Sequence, residues 1–409
     1  MKPRGDLCVR CKGYRLLCGL QKCPVLERFR SSLKAYANLK PGNVIEGSTP
    51  PSALVGEKGY PRVPVMFNVA PTKSLEEALE YENPQGWWGR KGLMEIVSLR
   101  SSLVSGIMRV LVSNPWELYE KEHGLACISE KPVYSTLELE KRPTPILKFD
   151  SILKPLGIAS PAKSIIVEDN PRIPSKLEKL IWDDARTIEA LWEAYKSGVD
   201  TYLLKRALSL GFLGRIRNRR LVPTRWAITA VDDMLSRVLL RRINNYKSIN
   251  EFLVYAGEYL HNKFVIVLAP GGYRGFWLEA WYPGSAWGAA GSEPSIYVVE
   301  EDSWGRQTPP DGGFSAARLP VVEHLYRIGR RAIVFILREV YPEYIVPVGN
   351  WHIRETVKKA LQQEPIKPET PRELLRIVGS MLCSHAPLRV FEKILTKALG
   401  QKTIDEYMR

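Results

Sequence analysis

Phe264-Val-Ile-Val-Leu268, closed by Ala269-Pro-Gly-Gly272, is the stretch on which the reading of the fold turns. An unbroken apolar, largely β-branched run with a turn signal at its end reads as a strand of the buried type. Phe276 to Tyr282 and Ser295 to Glu300 read as further strands, as do Val63 to Val69 and Leu93 to Leu99 nearer the N-terminus. Helical spacing dominates elsewhere. Ser175 with Glu178 opens the clearest helix, whose stripe is Leu177, Leu180, Ile181, Ile188, Leu191, Trp192 and Tyr195, with Gly198 as its stop. Ser74 with Glu77 opens a short one, Leu26 to Leu39 is a basic one, and Thr229 to Arg242 is amphipathic. From Leu319 onward the pattern is mainly helical, in three or four segments. A strand-rich middle followed by a helical C-terminal part, without clear βαβ alternation, predicts an α+β fold, with mixed α/β as the alternative.

The chain has 409 residues, enough for two or three domains or one large one. The motifs divide it into residues 1–26, a core over 27–400 subdivided near 171, and a tail over 401–409. The balance of 59 Lys+Arg against 44 Asp+Glu gives a net charge of +15, which favours polyanionic partners, and nucleic acid first among them. No apolar run reaches the ~18–20 residues of a membrane span. The N-terminus carries cysteines and charge where a secretory signal needs an apolar segment. The expectation is no membrane partner and a cytoplasmic location.

Four of the six cysteines, Cys8, Cys11, Cys18 and Cys23, lie within sixteen residues. C-x2-C supplies two thiolates from one turn, and four thiolates close a tetrahedral shell around Zn2+, so the expected cofactor is a structural zinc ion in a small N-terminal knot. Two disulfides or an iron–sulfur cluster are the alternatives. Cys127 and Cys383 stand alone and read as small core residues.

Gly211-Phe-Leu-Gly-Arg-Ile-Arg-Asn-Arg-Arg220 is the strongest basic run. On a strand Arg215, Arg217 and Arg219 would share one face. Arg220, Arg225 and Trp226 follow, and Arg274 sits in a second cluster, Gly271 to Gly288, rich in glycine and tryptophan. Arginine forks grip phosphate, and an exposed tryptophan stacks on a base. A solvated, charge-protected strand edge is the plainer reading. Asn83-Pro-Gln-Gly-Trp87-Trp88-Gly89-Arg90 has the same flavour as Gly271 to Gly288; core packing is the plain reading of both, a groove for nucleotides or single strands the sharper one. Walker A, H-E-x-x-H and deaminase-type motifs are absent. Asp183-Asp184, Asp232-Asp233 and Glu168-Asp169 are candidate Mg2+ ligands of a nuclease, with Asp184 the candidate catalytic acid. Surface charge, helix dipoles or a buried arginine partner are the leading, plainer explanations.

Gln401, Ile404, Tyr407 and Met408 recur at the spacing of one helical turn after Gly400. That spacing resembles the peptide by which replication and repair proteins dock on the DNA sliding clamp, PCNA. Met408 replaces the second aromatic of strong clamp peptides, so a modest grip is expected.

Cys8-Val-Arg-Cys11-Lys-Gly13, Cys18-Gly19, Cys23-Pro24, the segment Leu221-Val-Pro-Thr-Arg-Trp226-Ala-Ile-Thr-Ala-Val-Asp-Asp233 and the Gln401 peptide together resemble the archaeal Nre family of DNA-repair proteins. The resemblance spans essentially the whole chain. It implies an archaeal, nucleoid-associated repair factor with a four-cysteine zinc finger and a clamp-interacting motif, and it implies no catalytic residue. The competing expectations are a metal-dependent nuclease or nucleotide-processing hydrolase, and an RNA-binding protein.

Overall fold

A computed structural model describes residues 5–17, 20–147, 149, 156–288 and 291–400. The class is α+β, and the chain divides into two compact units, Leu7–Val231 and the part from Asp232 on. The division falls inside the helix Thr224–Ile243, where no Pro/Gly punctuation marks it in the sequence.

The first unit is built on a six-stranded sheet of β1 (Val44–Thr49), β2 (Leu54–Val55), β3 (Arg62–Val69), β4 (Val104–Leu111), β5 (Val133–Leu139) and β6 (Ile158–Val167), in the order β1-β5-β6-β4-β3-β2. β3 pairs antiparallel with β4 along its full length, Arg62↔Leu111 to Val69↔Val104. β4 and β6 run parallel only from Val104↔Ile158 to Ile107↔Pro161. Beyond that point β4 stays with β3, and β6 stays with β5 as far as Val167. The β5–β6 register shifts at Glu138/Leu139, leaving Lys163 as an extra residue in β6. Such a bulge bends its strand and sharpens its twist, and the β4–β6 ladder ends two residues before it, at Ile107↔Pro161. The expected strand Leu93 to Leu99 is instead the helix Leu93–Ser101. Leu93, Ile96 and Val97 are its buried residues, at spacings of three and four, and the Glu95 carboxylate accepts the Gly92 N–H at 2.7 Å. The helix expected from Ser175 to Gly198 is two, Ser175–Trp182 and Thr187–Lys196. Its Ser175 cap does not form, since Pro174 holds the N-cap position. The Ser74 cap does form, accepting the Glu77 N–H at 3.2 Å.

The second unit holds β7 (Leu253–Tyr259), β8 (Asn262–Ala269), β9 (Arg274–Trp281), β10 (Ser295–Glu301), β11 (Gln307–Thr308) and β12 (Ile333–Val340), in the order β11-β10-β9-β12-β8-β7. β12 is buried at every position and lies between β8, antiparallel, and β9, parallel. The sequence pattern after Leu319 reads as mainly helical, with no strand singled out there. Helices are there, Gly312–Arg327, Trp351–Ala360, Pro371–Met381 and His385–Gly400, but the central strand lies among them. One face of the sheet packs Val265, Val267, Phe276, Leu278, Phe335 and Leu337 against Leu374, Val378, Phe391 and Leu395 of the last two helices. The opposite face carries Trp277, stacked on Phe314 of Gly312–Arg327.

That second face also buries charge. Arg338 of β12 donates to Glu279 of β9 at 2.6 Å and to Asn262 of β8 at 2.6 and 2.9 Å, with His352 Nε2 3.3 Å away. Arg318 meets Glu301, and Asp233 at 2.7 Å. Arg354 meets Asp232. Burial pushes the Glu279 and Glu301 carboxyls up, against the pull of Arg338 and Arg318. Burial also lowers His352 to about 3, helped by the Arg338 charge. Its folded pKa thus lies below the unfolded value of about 6.5. The stability that comes from keeping the ring neutral is complete above pH ~6.5 and is lost as pH falls towards 3. Urea titrations from neutral to acid pH should show wild type losing up to about 1.4 kcal/mol per pH unit more than His352→Gln. Equal slopes in the two proteins would contradict a buried neutral histidine.

Candidate nucleic-acid interface

The arginine run does not form a strand. Ile216–Asn218 is a single 3-10 turn, so the alternation that would put three arginines on one face is broken. Arg215, Arg217 and Arg220 are exposed, and Arg219 is buried. Its guanidinium donates to the carbonyls of Gly214 at 2.8 Å, Ile181 at 2.5 Å and Asp183 at 2.7 Å. Two of these carbonyls belong to the C-terminal end of Ser175–Trp182, where backbone oxygens lack helical partners and a cation is favoured. Burial lowers the Arg219 pKa, and the Asp184 and Asp183 charges counter it. Arg219 is therefore the bracket of the loop and no part of its surface.

Gly214 fits this site because of its backbone. Its φ is +106°, and a Cβ there would lie 2.5 Å from Thr187 Oγ1. Asp184 is exposed, and its Oδ1 accepts the Ile216 N–H at 2.7 Å. Asp184 is not the buried partner of an arginine, because the helix ends at Trp182 and leaves Asp184 exposed. Asp184 fastens the arginine turn from one side while Arg219 fastens it from the other.

The same contacts fix Trp182 beside the loop. Trp182 is 60% exposed and stacks on Trp116 with centroids 5.3 Å apart. Tyr119 meets both rings edge-on at 5.4 and 5.2 Å, and the Arg219 guanidinium lies 5.4 Å from the Trp116 ring. The result is an aromatic cluster with Trp182 exposed, beside the turn that carries Arg215 and Arg217, neither of which has a carboxylate partner among the described residues. Arg225 is held by Glu57 at 2.9 Å, an exposed pair worth little in water. Trp226, 57% exposed, follows on the first turn of Thr224–Ile243. Arg274 belongs to the other unit, where it lies 5.3 Å from the Phe276 ring. Trp116, Tyr119 and Trp182 were not singled out from the sequence. The available signal was that Trp182 falls off the apolar stripe of its own helix.

The other predicted groups divide similarly. Trp87, Trp277 and Trp281 are core residues. Asp232 and Asp233 lie inside Thr224–Ile243 rather than near its start, and both are paired with arginine. Asp169 accepts the Tyr134 N–H and Glu168 the Thr136 hydroxyl, each at 2.6 Å. Cys8 and Cys11 lie one turn apart on Gly5–Cys11. The Cys11 thiol is held below its ordinary range: burial opposes this, but the backbone N–H groups of Leu17, Gly13, Arg15 and Leu16 outweigh it. A Cβ at Gly13 would lie 3.2 Å from Cys23 Sγ, so that sulfur sits against the same turn. Cys18 lies outside the described residues, as do Gln401, Ile404, Tyr407 and Met408. Among the described residues no group of three or more His, Cys, Asp or Glu is placed to hold a metal, and no helix is long and apolar enough to cross a membrane.

Residues 17–288 match the archaeal Nre N-terminal domain and residues 301–407 the archaeal Nre C-terminal domain. The chain belongs to the archaeal Nre family. It is 36% identical over 364 residues to the DNA repair protein NreA of Archaeoglobus fulgidus, covering 88% of this chain and 89% of that one. It is 32% identical over 404 residues to the DNA repair protein NreB of the same organism, covering 98% and 100%. The DNA repair protein NreA of Haloferax volcanii is 30% identical over 392 residues, covering 93% and 92%. No solved structure matches the chain.

Proposed function

We propose that this chain is a DNA-repair factor that holds nucleic acid on the Trp182 face and its arginine turn, and that reaches its site of action through the sliding clamp. The repair role is supported by the relatives, which are DNA repair proteins. The observation that carries the binding role is the pairing of an exposed, pre-stacked tryptophan with Arg215 and Arg217, which have no carboxylate partner among the described residues. Arginine forks neutralise phosphates, and an exposed indole takes the π-face of any base, so single-stranded or unpaired DNA suits the face best. The rigid turn adds to this, because arginines already fixed by Arg219 and Asp184 lose less freedom on binding.

Zn2+ held by Cys8, Cys11, Cys18 and Cys23 is part of the proposal. The N–H groups around Cys11 favour its thiolate form, which is the form a metal takes. The zinc would be structural and would hold the N-terminal turn shut. Gln401, Ile404, Tyr407 and Met408 would insert into the clamp.

Three measurements test these parts. Arg215→Ala/Arg217→Ala should weaken binding of single-stranded DNA and flatten the dependence of log Kd on log salt by roughly 0.7 per lost phosphate contact. Trp182→Ala should cost about 1–3 kcal/mol per stacked base, and Arg219→Leu should weaken binding although it touches no ligand. Unchanged affinity in the first two variants removes this face from consideration, and tighter binding of RNA than DNA at equal salt favours the RNA-binding reading. Metal analysis of the purified chain should find one zinc, lost in Cys11→Ser; an iron or metal-free preparation overturns the zinc assignment. Truncation after Gly400 should abolish clamp binding and leave DNA affinity intact, and full clamp affinity in the truncated chain rules out the tail.

A further inference from the structure

Where β4 and β6 part, the first unit contains a cavity of about 520 Å³. Its walls are the β6 edge from Ala162 to Val167, Met108 of β4, and the turn Glu120–His123. The volume suits a small organic molecule. The edge of β6 that carries the β4 ladder as far as Pro161 borders the cavity from Ala162 on.

His123 is the feature that points to a ligand. It is only 5% exposed, lines the cavity, and neither ring nitrogen makes a well-formed hydrogen bond among the described residues. A buried imidazole with the Lys121 carbonyl as its one nearby acceptor leaves a ring nitrogen unanswered, and native structures rarely tolerate that without a reason. The ring is held in place, since Phe67 packs edge-on against it at 6.0 Å. The residue before it, Glu122, has φ +50°, a conformation that L side chains rarely adopt and that tends to cluster at binding sites. Burial lowers the His123 pKa to about 4, with the Lys121 charge acting the same way and the Lys121 carbonyl and Glu117 opposing. The ring is therefore neutral near pH 7, with one donor and one acceptor.

The rim selects among ligands. Lys121 is paired with Glu117 at 3.0 Å and Lys163 with Glu138 at 2.7 Å, while Glu120 and Glu122 have no cationic partner among the described residues. Such a rim offers a phosphate group no unpaired cation. A neutral heterocycle with a donor and an acceptor on one edge matches both the imidazole and an open strand edge, which presents alternating N–H and C=O groups. Helix Trp116–Glu120 connects the two sites: it carries Trp116 and Tyr119 of the stacking face and ends at the cavity rim.

We propose that this cavity binds a single nucleobase, supplied either by an unstacked nucleotide of a nucleic acid held on the Trp182 face or by a free nucleoside. The first source rests on the nucleic-acid reading above; the second does not.

Two probes separate the sources. Adenosine, guanosine, cytidine and thymidine are titrated one at a time into the full chain near neutral pH. A duplex with one unpaired 2-aminopurine is then bound and its fluorescence followed. The variants are His123→Phe, which keeps the ring shape and removes both nitrogens, and Met108→Trp, which fills the cavity from β4 should the first variant fold poorly. At least one nucleoside should bind, about tenfold or more weaker in either variant. The 2-aminopurine signal should rise with wild type and not with the variants. Nucleoside binding with a silent 2-aminopurine assigns the cavity to free nucleosides. Loss of oligonucleotide binding in Arg215→Ala/Arg217→Ala with nucleoside binding retained shows the two sites to be separate. The cavity is no base site if no nucleoside binds below about 10 mM and wild type and both variants give the same fluorescence.

Discussion

Arg338 is the interaction on which the second unit depends. Its guanidinium spans three adjacent strands, reaching Asn262 of β8 and Glu279 of β9 from β12. An ion pair at this depth gives up hydration worth several kcal/mol per ion, and its attraction offsets that only when the geometry is good. Its value is therefore in specificity more than in stability. With β12 anywhere but between β8 and β9, Arg338, Glu279 and Asn262 would each lose a buried partner. Arg318 with Glu301 and Asp233, and Arg354 with Asp232, extend the same constraint to the helices that cover this face.

Arg219 uses the same chemistry to a different end. It is answered by three carbonyls instead of a carboxylate pair. Arg220 donates to the Arg219 carbonyl at 2.7 Å, while Arg215 and Arg217 have no carboxylate to answer among the described residues, so the loop presents charge that the protein itself does not consume. In the second unit arginine is spent on holding strands in order. In the first it holds a turn from which other arginines project.

The sequence made legible those elements whose signal is local. Val63 to Val69 was readable as a strand because its apolar content and turn boundaries suffice, and Ser74 as a cap because the bond spans three residues. Ile333 to Val340 was not recognised, although its apolar run resembles Phe264 to Leu268, because helical signals on both sides absorbed it. Leu93 to Leu99 was mistaken for a strand by composition, when the spacing of Leu93, Ile96 and Val97 was helical. The site was half legible. Arg215 and Arg217 were found as a charge run, but the burial of Arg219 depends on carbonyls 36 and 38 residues away, and the Trp116–Trp182 stack joins residues far apart in the chain. Neither leaves a periodicity to read.

The extra residue at Lys163 deserves a last consideration. Opposite Glu138 and Leu139 β6 carries one residue more than β5, and the hollow lies beside that extra residue. An extra residue is inherited as an insertion and not as a substitution, so its presence and the lining of the hollow can change independently. Descendants of one ancestral chain could keep the extra residue while exchanging the groups that face the hollow, or lose it in a single deletion with every other lining residue unchanged.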